Sequence, residues 1–295
     1  MSDIPKLTLR DLTEMARSHE RIAMLTAYDA SSARLADRAG VDIVLVGDSA
    51  AMTVLGHEST IPVTLDEMLM LTRAVTRVVE HAFVVADMPF GSFQPGEDEA
   101  LRNAIRFDKE AGADAVKLEG AGRTLTRIGS ILDAGIPVMG HVGLTPQSAA
   151  LGEGYKARGR TAIEARRILD EARALERAGC FAVVLEAIPA AVAAHISDAL
   201  RIPTIGIGAG PSCDGQVLVW HDLLGLTPGH VARFVKPYAD LKVTIASAVE
   251  AYVADVRGGA FPSAEHTYGM PEAELARFES QLMEAQQTGG FQKKS

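Results

Sequence analysis

The stretch IVLVGDS, residues 43–49, sets four branched apolar residues in a row and then stops on an aspartate. Ile43, Val44, Leu45 and Val46 do not alternate with polar residues. A strand of this kind is expected to be covered on both faces, as in a parallel sheet flanked by helices. An unpaired carboxylate is costly inside such a core. Asp48 therefore has to emerge where the strand ends.

The pattern recurs along the chain. RIAMLTA (21–27) precedes it as a first strand, and DIVLVGD (42–48) is the second. FVVADMP (83–89), AVKLEG (115–120), PVMGHVG (137–143), FAVVLEA (181–187) and TIGIGAG (204–210) follow, with QVLVWHD (216–222) as a weaker eighth. Helical patterns lie between most of them. In 64–82, Thr64 and Glu67 have capping-box spacing, and Leu65, Met68, Leu69, Val75, Val78 and Val79 make one apolar face. The helical segments 97–112 and 161–179 both run into a glycine, the usual stop signal. Strands alternating with helices imply a parallel sheet. Eight such units over about 250 residues fit a closed (β/α)8 TIM barrel. An open doubly wound sheet is the rival arrangement. No Pro/Gly/Ser linker divides the chain, so a single catalytic barrel domain is expected over 1–265, followed by a C-terminal helix and a frayed tail over 266–295.

Composition narrows the classes. The apolar fraction of 47% suffices for a large core, yet no run of eighteen apolar residues suggests a membrane span. The opening MSDIPKLTLRDLTEMARSHER is mixed and charged and lacks the apolar centre of a signal peptide. Cys180 and Cys213 fit no metal or redox motif, so a reduced cytoplasmic setting is expected. A formal charge of −9 argues against nucleic acid or an anionic membrane as partner.

In a parallel barrel every strand C-terminus opens on one face, where side chains meet a ligand. Strands two, three and four end at Asp48, Asp87 and Glu119; strands five and six reach His141 and Glu186. Three acids on neighbouring strand ends repel one another unless something positive sits among them. Their all-oxygen character suits a hard divalent ion, Mg2+ first and Mn2+ next, and no Cys or His pair favours zinc. Lys117 lies two residues before Glu119 and points the same way, so it can balance the acids and hold a substrate carboxylate. Any one of these acids could instead cap a helix or take a loop hydrogen bond, and His141 alone reads as a structural residue. IGIGAG (205–210) could be tight packing alone. Tyr155, Lys156, Arg158 and Arg160, in the loop 152–160, read either as a solvated surface or as a lid over the mouth.

Taken together, VGDS, VVADMPFGSFQ, AVKLEG, HVGLTPQS, GYKARGR, VLEAIP, IGIGAG and DGQVLVWHDLLG, in that order, closely resemble the ketopantoate hydroxymethyltransferase family over about residues 5–265. The resemblance implies a barrel of the phosphoenolpyruvate mutase and isocitrate lyase type. It implies transfer of a one-carbon unit from 5,10-methylenetetrahydrofolate to 3-methyl-2-oxobutanoate, giving 2-dehydropantoate. It places Mg2+ at Asp48, Asp87 and Glu119, the 2-oxoacid at Asp48, Ser49, Asp87 and Lys117, and the general base at Glu186. A homodecamer is the assembly it implies. Glu153 departs from the glycine expected before GYK, which bears on recognition of the folate donor.

The residues allow that chemistry. Asp48 and Asp87 would bind the ion directly and Glu119 through water. Ser49 and Lys117 would hold the carboxylate, Glu186 would take the carbon-3 proton, and His141 would position Glu186 or a water. Two other classes stay open: a metal-dependent lyase acting on another 2-oxoacid, for which Cys213 is the available thiol, and a non-catalytic barrel that binds an organic acid as a sensor.

Overall fold

A computed structural model of the chain describes residues 5–149, 154–229 and 231–287. The strands are β1 (Ile22–Thr26), β2 (Ile43–Val46), β3 (Phe83–Asp87), β4 (Ala115–Glu119), β5 (Val138–Gly143), β6 (Ala182–Glu186), β7 (Thr204–Ile207) and β8 (Gly215–Leu218). All neighbours run parallel in sequence order. The sheet closes because β8 pairs with β1, in register from Ile22 and Gly215 to Leu25 and Leu218. This pairing makes the sheet a (β/α)8 barrel and rules out the open doubly wound alternative.

The unbroken apolar strands are explained by two cores. Ile43, Leu45, Phe83, Val85, Met139 and Val184 fill the barrel interior, where Leu12 of the helix Leu9–Arg17 joins them. Val44, Val46, Val84, Ala86, Val116 and Leu185 belong to the layer between the strands and the surrounding helices. Each strand does alternate, but between two apolar environments rather than between core and water. The helix expected over 64–82 runs Leu65–Thr76. Its capping box is present: Glu67 N donates to Thr64 Oγ1 at 3.2 Å and Thr64 N donates to Glu67 Oε2 at 2.8 Å. The helix Ala162–Ala178 stops on Gly179, whose φ of +101° suits a residue without a Cβ.

Two of the boundaries that differ from the sequence reading bear on the barrel mouth and its closure. β2 ends at Val46, so Asp48 lies in the turn after the strand. The eighth strand ends at Leu218, and Trp220–Leu223 turns into a short helix; Trp220 N donates to Thr26 Oγ1 at 2.8 Å there.

The chain divides into two compact units, one ending at Asp240 and the other beginning at Leu241. All eight barrel strands lie in the first unit. The second unit consists of the helix Leu241–Gly258, a short turn at Ala264–His266 and the helix Glu272–Gln287. Within it, the Tyr252 and Phe261 rings stand 5.7 Å apart. The tail expected after 287 lies outside the described residues, as does Glu153.

Candidate active site

The period of the strands aims the chemistry inward. Asp87 follows Val85, Lys117 and Glu119 follow Ala115, His141 follows Met139 and Glu186 follows Val184, each two residues on along the barrel's inner face. Together with Asp48 and Ser49 these side chains line one cavity of about 140 Å3 at the C-terminal mouth. A groove of about 1280 Å3 runs along the outside of β1 and β8, but it contains none of these acids. The chemistry therefore sits in the smaller space. All the residues expected at the site meet there.

The contacts form a chain. Asp48 N donates to Asp87 Oδ2 at 3.0 Å. Asp87 Oδ1 lies 3.0 Å from Lys117 Nζ, and Lys117 Nζ lies 3.3 Å from His141 Nδ1. His141 Nε2 lies 3.1 Å from Glu186 Oε2. Ser49 Oγ is 2.8 Å from the buried hydroxyl of Tyr28.

Burial sets the protonation states. Burial pulls the Lys117 pKa down, but the charges of Asp87, Glu119 and Asp48 together outweigh it, and the net shift is upward; the ammonium stays charged. Burial, reinforced by Lys117, holds His141 well below its usual range, so the imidazole is neutral. A neutral ring beside an ammonium accepts at Nδ1, which puts its proton on Nε2, facing Glu186. Burial raises Glu186 to about 7, with Lys117 pulling the other way. Burial and then the charge of Asp87 raise Asp48 to about 7. Burial and then Asp48 push Glu119 well above the usual carboxylate range. Carboxyls kept this far from ionising by burial are ones whose ionised form a nearby cation would stabilise.

The donor set fits a hard divalent ion. It is all oxygen, and the buried Thr60 hydroxyl in the same cavity wall has no hydrogen-bond partner. Three acids do not, however, surround one point. Among the described residues no group of three or more His, Cys, Asp and Glu side chains is arranged to hold a metal together. Glu119 Oε2 instead accepts from Gln147 N at 3.1 Å. Asp48 and Asp87 are therefore the pair suited to direct contact, and Glu119 to contact through water.

The backbone is strained beside Glu186. Ala187, the next residue, has a φ of 48°, a left-handed conformation that costs an L-residue about 1–2 kcal/mol. Its N–H donates to Ile207 O at 2.8 Å and its carbonyl accepts from Arg158 N at 2.9 Å, which ties the described part of the 152–160 loop to the end of β6. Tyr155 of that loop lines the cavity. Gly143 has a φ of +96°, and a Cβ there would lie 2.3 Å from Glu186 O, so only glycine lets β5 finish this close to Glu186.

Sequence reasoning missed Gln147, Tyr28 and Thr60. Gln147 lies in HVGLTPQS, but nothing in its spacing says where its amide reaches. The Thr60 hydroxyl is buried in the cavity wall without a partner. Cys213 is buried and lines the outer groove, so no thiol serves the mouth.

A barrel with a carboxylate and lysine centre at its mouth defines a barrel enzyme for small organic acids. The same fold occurs in a phosphonopyruvate hydrolase solved with oxalate and Mg2+, at a TM-score of 0.58, 12% identity and coverage of 94% of this chain and 97% of that one. It also occurs in 2,3-dimethylmalate lyase, a member of the PEP mutase/isocitrate lyase superfamily, at a TM-score of 0.56, 19% identity and coverage of 94% and 98%. Residues 6–264 match the ketopantoate hydroxymethyltransferase family, and the chain belongs to it. The 3-methyl-2-oxobutanoate hydroxymethyltransferase of Oleidesulfovibrio alaskensis is 54% identical over 90% of this chain and 92% of its own length. That of Acidothermus cellulolyticus is 52% identical over 90% and 98%. The chain is thus an enzyme of pantothenate synthesis that adds a hydroxymethyl group to 3-methyl-2-oxobutanoate. Among its described residues no helix is long and apolar enough to cross a membrane.

Lys117 is expected to grip the substrate carboxylate. Lys117→Ala should weaken 2-oxoacid binding by about 1.5–3 kcal/mol, roughly 10- to 100-fold, while a divalent ion still binds. An unchanged KM for the 2-oxoacid would count against this role.

Proposed function

We propose that the one-carbon donor is 5,10-methylenetetrahydrofolate and that the reaction passes through an enolate of the 2-oxoacid. The observation that carries this reading is Glu186, a carboxylate of raised basicity at the cavity wall, facing an all-oxygen centre completed by a charged lysine. Asp48 and Asp87 would hold a divalent ion, with Glu119 near enough to act through water, and the ion would supply Lewis acidity for the 2-oxo group; Mg2+ is the first choice and Mn2+ the next. The Mg2+ and oxalate found in the phosphonopyruvate hydrolase of shared fold support that choice.

The chain's own groups do the rest. Lys117 and Ser49 hold the carboxylate, with Ser49 steadied by Tyr28. Leu45, Val184, Ile207 and Val217 give the alkyl branch an apolar wall. Glu186 removes the carbon-3 proton, and the carbon attacks the methylene carbon of the donor as one of its two C–N bonds breaks; water then supplies the hydroxyl oxygen as the second C–N bond breaks, and tetrahydrofolate leaves with a hydrogen on each freed nitrogen. The proton then rests on Glu186, whose Oε2 lies 3.1 Å from His141 Nε2. Supplying donor labelled with 13C at the methylene carbon should place the label in the hydroxymethyl group of 2-dehydropantoate. Unlabelled product formed at an undiminished rate would dismiss this donor.

The base must be ionised to work, and its pKa lies near 7. With saturating Mg2+, kcat/KM should therefore climb between pH 6 and 8 and level off above, being about one-tenth of its plateau at pH 6. A profile flat across that range would remove Glu186 from the step.

The homodecamer expected from the family, and a cytoplasmic setting, complete the reading. Ile245, Val249, Tyr252 and Val256 form an exposed apolar stripe along the helix Leu241–Gly258, which supports self-association.

A further inference from the structure

We infer that Gln147 is a positioning residue that sets the register of three strand ends around the divalent-ion site. The inference rests on the metal reading above and concerns how Asp48 and Glu119 are held before any ion arrives.

Gln147 is buried, with 3% of its surface exposed, in the short helix Pro146–Ser148 after β5. Its side-chain Nε2 donates to Asp48 Oδ2 at 2.9 Å and to Met88 O at 3.0 Å. Its Oε1 accepts from Gln94 Nε2 at 3.3 Å. Its backbone N donates to Glu119 Oε2 at 3.1 Å. One residue thus touches the ends of β2, β3 and β4.

The amide can sit only one way round. Two acceptors face the NH2 end and a donor faces the oxygen. Turned over, the amide would set oxygen against the Asp48 carboxylate and the Met88 carbonyl, and nitrogen against nitrogen. Each of the two acids keeps an oxygen not engaged by Gln147. A buried carboxylate otherwise rotates about its terminal bond. With Oδ2 pinned, Asp48 presents its other oxygen in one orientation. Glu119 is held through the backbone, so its tether does not depend on the side chain at 147. Groups that orient metal-binding side chains in this way typically matter by 10- to 100-fold in affinity.

The experiment measures Mn2+ binding to the metal-stripped full chain by calorimetry and by the paramagnetic signal of the free ion. Gln147→Met keeps length and removes both donors, and should weaken Mn2+ binding 10- to 100-fold. Gln147→Asn keeps the donor but is one methylene short, and should fail to restore it. Gln94→Leu leaves Gln147 in place and removes the donor that fixes its orientation; it should give a smaller loss, about 3- to 10-fold, and it serves if the substitutions at 147 do not fold. The KM for the 2-oxoacid at saturating Mn2+ should move little, because the grip of Lys117 is untouched; a purely structural loss would weaken Mn2+ binding and raise that KM together. Mn2+ affinity within 3-fold of wild type in every folded variant overturns the role of Gln147 alone. Wild-type protein that binds no Mn2+ overturns the metal reading and this inference together.

Discussion

Glu186→Gln should slow exchange of the carbon-3 proton of 3-methyl-2-oxobutanoate by about 10²–10⁴-fold, the usual contribution of a positioned base. The measurement is NMR in deuterated water, with Mg2+ and without folate, so that nothing downstream of proton removal contributes. Glu186 is suited to the task because burial raises it to about 7, which makes it a stronger base than an exposed carboxylate. It ends β6, away from Asp48 and Asp87 at the ends of β2 and β3, and its Oε2 lies 3.1 Å from His141 Nε2. Gln has the same shape and no basicity. Metal and 2-oxoacid should bind the variant as they bind wild type. That pairing of intact binding with lost exchange separates a base from a ligand, since losing a ligand removes both. Wild-type exchange in Glu186→Gln would show that another group takes the proton, and His141 would be the next to replace.

Asp48→Ala and Asp87→Ala should each abolish metal-dependent binding of the 2-oxoacid, but their costs to the fold should differ. Asp48 accepts from Gln147 and takes no ion pair among the described residues. Asp87 is the 3.0 Å partner of Lys117 and accepts the backbone N–H of Asp48. Removing Asp87 leaves a buried ammonium without its nearest counter-charge, a loss that typically costs about 3–5 kcal/mol. Calorimetry should find no metal binding in either variant, and thermal unfolding should find Asp87→Ala the less stable. Wild-type metal and ligand affinity in both would remove these residues from the centre.

The barrel was legible because its strands carry a strong local signal. Runs such as Ile43–Val46 can only be buried on both faces, and the alternation with helices fixes parallel order. The inward aim of Asp87, Lys117, Glu119, His141 and Glu186 follows from the two-residue period once the strands are placed. What lay beyond the sequence depends on contacts across the fold. Asp48 falls in a turn, where no period applies. Glu119 is engaged by a backbone N–H that is 28 residues away. Gln147 reaches back 99 residues to Asp48, and a three-residue helix offers no pattern to announce it. The end of β8 was misplaced because Val219 and Trp220 are as apolar as the strand before them.

Closure of the barrel has a consequence for the chain's birth. β1 is made early, but one of its two partners, β8, ends only at Leu218. Until that residue has left the ribosome, the growing sheet has two unpaired edges, each a template for pairing with a neighbouring chain. The link between first and last strands also spans most of the unit, a long-range contact of the kind that slows folding. The nascent barrel is therefore most exposed to misassembly just before its last strand appears, and a chain truncated ahead of Gly215 keeps both edges open for good.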